Sequence, residues 1–415
     1  MKMPTEPEKP HERITEIKRR AEAGPTILQH SFRPFFMAAG FWAMLAVPLW
    51  LLSYAGILVM PQEFDALLWH RHEMLFGFAG ASMAGFVLTA VPNWTGRLPV
   101  SGGRLAVLVA FWLAGRVSFL TVVWIDPLTT AIMDLAFLTT LVAMIGRELV
   151  AGKNWRNLPV LVVVSFFTLG NWLVHIEANG VAETAELGIR LSTFVLSLLI
   201  ALIGGRIVPS FTRNWLVRNG AAEVPAPMGR FDTIALVALV IFVIAKVVLP
   251  DHLVTAYLAV LAGVLHGFRL LRWKGWAVVS EPLMWVLHLG YVWLVAALVL
   301  IGLAGLTGFI SPTSAIHALT AGAFGTMILA VMTRASLGHT GRELAASTGT
   351  TVVFLLISIA AILRVGASSL GDWAIWLSGG AWTLAFGLFT VLYFPVFTQP
   401  RVTAPKPSPT PRQKD

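Results

Sequence analysis

The feature that most constrains this chain is a succession of apolar runs, each about 20 residues long, the length an α-helix needs to cross a bilayer's hydrocarbon core. Read against their Pro, Gly and charge punctuation, these runs predict helices near 35–57, 68–92, 103–123, 128–146, 157–177, 188–209, 231–249, 253–271, 281–305, 312–333, 350–368 and 373–397. The runs are too long for the alternating ten-residue strands of a membrane β-barrel. In lipid, a helix satisfies every backbone N–H and C=O within its own segment. The expected fold class is therefore all-α, a polytopic integral membrane protein of about twelve transmembrane helices. Composition agrees: 57% of residues are hydrophobic and only 12% charged, where soluble domains carry about a quarter.

Charge sets the expected orientation. With the N-terminus inside, 25 of the 30 Lys and Arg residues fall in the two tails and in the loops near Arg97, Arg147, Arg206, Arg269 and Arg334, as the positive-inside rule requires. Both termini are then cytoplasmic, and the opposite loops are short and mildly acidic. The formal charge of +9 is thus explained by topology and does not imply nucleic acid. The expected organisation is a polar tail over 1–33, a membrane domain over 34–397 with possible halves 34–212 and 231–397, and a Pro-rich disordered tail over 398–415. The first 25 residues hold no apolar stretch of the signal-peptide kind, so the first helix is expected to direct insertion.

Cysteine is absent, which removes thiolate-ligated haem, iron–sulfur clusters and cysteine-based copper or zinc sites. Metal ligation must use histidine, methionine, carboxylate or backbone. Ionisable groups at membrane depth are costly and mark functional sites, so the intramembrane histidines are the candidates. The second helix opens WHRHEMLFG, with His70, His72 and Glu73 in its outer turn; His175, followed by Glu177, ends the fifth helix, and His317 lies in the outer third of the tenth. These four imidazoles share a depth and form a candidate set for haem ligation or a copper site. His70 and His72 lie about 200° apart around a regular helix, so they cannot both face one ion. Arg190 is a candidate partner for Glu177 or a haem propionate. Toward the cytoplasm, His288 is either a ligand, a proton relay or a satisfied core histidine. His339, beside Arg334 and Arg342, suits an anionic group such as a propionate or quinone headgroup, or a capped helix end. The Arg–Pro motifs FRPFF, VPNWTGRLP and GGRIVPSFTRNW are expected to mark sharp helix ends with guanidinium groups facing lipid phosphates.

FRPFF at the first helix, WHRHEMLFGF…GFVLTAVPNWTGRLP across the second and HALTAGAFGTMILAVMTRASLGHTGREL around the tenth together resemble the NnrS family of bacterial membrane proteins. The resemblance spans essentially the whole membrane region. It implies a twelve-helix fold, haem b with copper as a second metal, the bacterial inner membrane, and a role in the nitric oxide response, relieving nitrosative stress alongside denitrification. It carries over onto His70, His72, Glu73, His317, Arg334, His339 and Arg342. Histidines on the second and tenth helices also resemble haem–copper oxidases, but the sixth and seventh helices lack histidine and the tenth lacks a paired HxH. The leading expectation is a haem protein that binds nitric oxide and reduces it to nitrous oxide, with electrons from membrane quinol and protons relayed by Glu73 or Glu177. The alternatives are a non-catalytic haem-based nitric oxide binder or sensor, and a twelve-helix secondary transporter, for which Asp134 is the mid-membrane carboxylate.

Overall fold

The computed structural model describes residues 24–59 and 64–402, and among them the regular structure is helical, with no strand. The tails expected over 1–33 and 398–415 lie partly outside the described residues. Among the described residues twelve helices are long and apolar enough to cross a membrane: α1 Phe32–Tyr54, α2 Ala66–Thr95, α3 Gly102–Leu120, α4 Pro127–Ala151, α5 Trp155–Ala178, α6 Ala185–Arg218, α7 Arg230–Val248, α8 Leu253–Leu271, α9 Pro282–Thr307, α10 Pro312–His339, α11 Thr348–Leu370 and α12 Asp372–Thr398. The chain is a multi-pass integral membrane protein. We call the end carrying the Arg-rich loops the basic end.

Successive helices pack on one another, and α12 returns against α1 to close the bundle. Burial separates the helices into two kinds. In α2, α6 and α10 the apolar segment is 78%, 72% and 67% buried inside the protein, against 33% in α7 and α9. Interior helices therefore recur every fourth helix. Small residues make their close packing possible: a Cβ at Gly322 of α10 would lie 2.6 Å from the Trp293 ring of α9.

Two interior helices share an irregularity. In α2 the hydrogen bonding widens to a π-helix over Glu73–Ala79, directly after His72, and in α10 it widens over Ala318–Gly325, directly after His317. Such π segments concentrate at functional sites because they re-aim the side chains that flank them.

Hydropathy underestimates two helices. α6 runs to Arg218, through Pro209, and α10 to His339, because their last turns are polar and leave the apolar window while the backbone ladder continues. The Arg–Pro motifs also differ from expectation, since protein groups rather than lipid phosphates take their guanidinium groups. Arg33 is fully buried and donates to the carbonyls of Val396, Phe397 and Gln399 at 3.1, 2.8 and 2.8 Å, satisfying the end of α12. Arg97 pairs with Glu148, and Arg206 donates to Asn157 Oδ1 at 3.0 Å.

Candidate functional site

A polar cluster of six side chains from α2, α3, α4 and α5 is sealed among phenylalanines. His72, Glu73, Arg116, Asp134, Asn171 and His175 are each no more than 3% exposed. Arg116 is its cation: Nη1 donates to both Glu73 oxygens at 2.6 Å, and Nη2 donates to Asp134 Oδ1. Gly77 makes room for it, since a Cβ there would lie 2.5 Å from Nη1. Trp112, whose indole donates to the Gly77 carbonyl at 2.9 Å, holds the same π turn.

Opposite Arg116, donor atoms converge. His72 Nδ1 meets Glu73 Oε1 at 2.9 Å; a carboxylate oxygen accepts, so Nδ1 carries a proton, and in the neutral ring the lone pair is then on Nε2. That Nε2 faces Asn171 Oδ1 at 2.8 Å and Asp134 Oδ2 at 3.3 Å. His175 Nε2 lies 3.1 Å from the same Oδ2, while its Nδ1 is buried without a partner. With both carboxyls ionised and both imidazoles neutral, the cluster carries one uncompensated negative charge, and a lone pair points at two oxygens. A cation resolves both, either a proton or a metal ion. Metal–ligand bonds of about 2.0–2.2 Å set neighbouring ligand atoms roughly 3 Å apart, as Asp134 Oδ2 stands to each Nε2, and all three ligand atoms lie within 4.8 Å of one another, so His72, Asp134 and His175 could hold a metal ion. Glu73 is placed as the outer carboxylate that fixes the His72 tautomer.

The other side of α2 faces a cavity of about 880 Å³, in the upper part of the range for ligand and cofactor pockets. His70 from α2 and His317 from α10 both line it, with apolar walls that include Trp50, Phe78, Phe324 and Trp382. His317 Nδ1 lies 2.7 Å from the Thr313 carbonyl. A carbonyl only accepts, so Nδ1 carries the proton and Nε2 is the free donor atom. His70 stacks on Trp50 at 4.3 Å and leaves its Nδ1 buried without a partner. Four basic side chains line the same space, Arg71, Arg190, Lys246 and Arg364. Arg71 pairs with Glu186 at 2.7 Å, whereas Arg190 and Arg364 have no ion-pair partner among the described residues. Two imidazoles over apolar walls, with unpaired cations for two carboxylates, fit a haem.

The four outer histidines are thus divided between two places, His72 with His175 in the sealed cluster and His70 with His317 in the cavity. Glu177 lies in neither, for its carboxylate accepts from the Ala185 N–H at 2.7 Å and so caps the start of α6. The remaining candidates lie toward the basic end. His288 Nε2 meets Thr212 Oγ1 at 2.9 Å, Arg334 sits 4.1 Å over the Phe211 ring, His339 packs 5.6 Å from the Phe32 ring, and Arg342 donates to Gln399 at 3.3 Å.

Arg116, Asn171 and Arg364 escaped the reading of the sequence, and Asp134 entered it only as a transporter's carboxylate. For three of them the signal was there: Arg116 interrupts FWLAGRVSF, Asp134 interrupts TTAIMDLAF and Arg364 interrupts AAILRVGA, each a charge inside an apolar run. All five basic residues that the positive-inside assignment leaves over, Arg71, Arg116, Arg190, Lys246 and Arg364, line either the cavity or the cluster. Asn171 has no such signature. Comparison with curated proteins finds no match. The profile described as NnrS protein matches residues 26–401, nearly the whole described chain including both histidine-bearing interior helices, and the chain therefore belongs to the NnrS family, membrane proteins of the nitric oxide response.

Proposed function

We propose that this protein binds haem b in the cavity between α2 and α10 and captures nitric oxide there, with a second metal, copper, held by His72, Asp134 and His175. The observation that carries the reading is the hydrogen bond from His317 Nδ1 to the Thr313 carbonyl at 2.7 Å, which leaves Nε2 as an oriented donor, the arrangement that metal-ligating histidines use. His317 would hold the haem iron firmly through Nε2. His70, stacked on Trp50 but anchored by no hydrogen bond among the described residues, would hold the iron less firmly and would be the position open to nitric oxide. Arg190 and Arg364 would pair with the haem propionates. Bound haem supplies an iron whose ferrous form takes nitric oxide and passes electrons.

Reduction of two nitric oxide molecules to nitrous oxide and water consumes two electrons and two protons; in this reading membrane quinol is the electron donor. Of the two carboxylates expected to relay protons, Glu73 is clamped at both oxygens by Arg116, so we assign it to orienting His72. The donor set of two imidazoles and one carboxylate suits copper or non-haem iron. The basic end faces the cytoplasm of a bacterial inner membrane, and the protein protects the cell from nitrosative stress. A transporter reading is weaker, because Asp134, its mid-membrane carboxylate, is bonded to Arg116 inside the sealed cluster rather than turned toward a substrate.

The test is an absorption spectrum of the detergent-purified protein, oxidised, reduced and exposed to nitric oxide, with metal analysis and gas-chromatographic assay of nitrous oxide. Haem b bands that shift with nitric oxide, near-stoichiometric copper and nitrous oxide formation support the proposal. A folded, colourless, metal-free protein overturns it, and nitric oxide binding without nitrous oxide reduces it to a binder or sensor.

A further inference from the structure

Beneath the large cavity lies a second, smaller space where the three interior helices meet. It has a volume of about 70 Å³ and is bounded by α1, α2, α6 and α10, with Met83, Leu199, Ile200, Met327 and Met332 among its lining. The volume exceeds the roughly 10–15 Å³ that admits one water-sized molecule, yet it is far too small for a cofactor or a lipid headgroup. Its one hydroxyl, Ser82, already bonds to the Phe78 carbonyl at 3.1 Å and contacts Met332 Sδ at 3.7 Å. Water needs two to four polar partners to occupy such a space, and the Ser82 hydroxyl, its proton already committed, is the one side-chain hydroxyl in the lining. Three methionine side chains supply polarisable lining, favourable to dispersion contact with a small uncharged molecule. Ala79 lines both this pocket and the large cavity, so one methyl-bearing wall is common to the two.

We propose that this pocket is a binding station for a small uncharged molecule, nitric oxide on the reading above, which passes Ala79 to reach the cavity. Nitric oxide dissolves in the bilayer's apolar interior and so needs an apolar station rather than an aqueous channel. The half-buried Phe86, Ile207, Ile328 and Val331 flank the pocket and form its outer side.

Xenon tests the pocket without requiring haem. In crystals of the full chain pressurised with xenon, an anomalous peak is expected between Met83, Ile200 and Met332. Xenon bound elsewhere but not there, or a lipid acyl chain filling the space, overturns the proposal whether or not haem is bound. The second measurement is the stopped-flow rate of nitric oxide binding to the reduced holoprotein. Ala79→Leu narrows the common wall, and Ile200→Phe fills the pocket from α6, away from the histidines. Each is expected to slow binding roughly tenfold, equivalent to about 1.4 kcal/mol of added barrier, and Ile200→Phe leaves the haem spectrum unchanged. Wild-type rates in both variants overturn the route. A protein that binds xenon in the pocket but no haem fails the functional reading while keeping the pocket.

Discussion

Individual side chains carry the chemistry here, and His70 and His72 show how. Two residues apart, they project to opposite sides of α2, one into a cavity and the other into a sealed polar cluster. Their substitutions should therefore separate. His317→Ala is expected to abolish haem retention, whereas His70→Ala keeps haem but speeds nitric oxide binding, as read by absorbance and stopped flow. Equal loss of haem in both would show that His70 is as firmly held a ligand as His317. Asp134→Asn and His175→Ala should lower metal content at the cluster and leave the haem bands in place, which metal analysis beside the spectrum decides. Arg116 is the structural counterpart. Removing one partner of a buried ion pair costs about 3–5 kcal/mol, so Arg116→Met should lower the thermal unfolding midpoint sharply. The double variant Arg116→Met/Glu73→Gln should recover part of that loss, because it also removes a stranded charge.

At the scale of the element, the π segments set where those side chains point. Each widened turn carries an extra residue relative to an α-helix, and each follows a histidine directly. The wide turn absorbs that residue, so the α-helical stretches on either side of it stay nearly in phase while the side chains within it are re-aimed. Gly77 belongs to the same segment, and Gly77→Val should displace Arg116, since overpacking of this kind costs about 1–3 kcal/mol.

For the molecule as a whole, closure of the helix ring positions the interior helices. Arg33 ties the first helix to the last through three carbonyls. Hydrogen bonds to charged groups contribute roughly 1.5–3 kcal/mol, so Arg33→Ala is expected to lower the unfolding midpoint with little effect on the spectrum of the protein that remains folded. The buried helices α2, α6 and α10 are four apart in the chain, while the long loop between α6 and α7 suggests a division into two sixes. Burial, not loop length, reveals the four-helix spacing, and it is at the meeting of these three helices that the small apolar pocket forms.

The sequence by itself determined that this chain spans a membrane, and where, because lipid leaves the backbone no choice but helix and the apolar runs have the length of a bilayer. It also marked the histidines and the interrupted apolar runs, because a charge at membrane depth is too costly to be incidental. Its depth scale is one-dimensional, however, and His70, His72, His175 and His317 look alike on it. Only the tertiary structure divided them into two pairs, since which face of a helix meets which neighbour depends on packing and on the π turns. The partners of Arg116 and the role of Asn171 were decided there too: a hydrogen bond between residues 99 apart, His72 and Asn171, leaves no local trace in the chain.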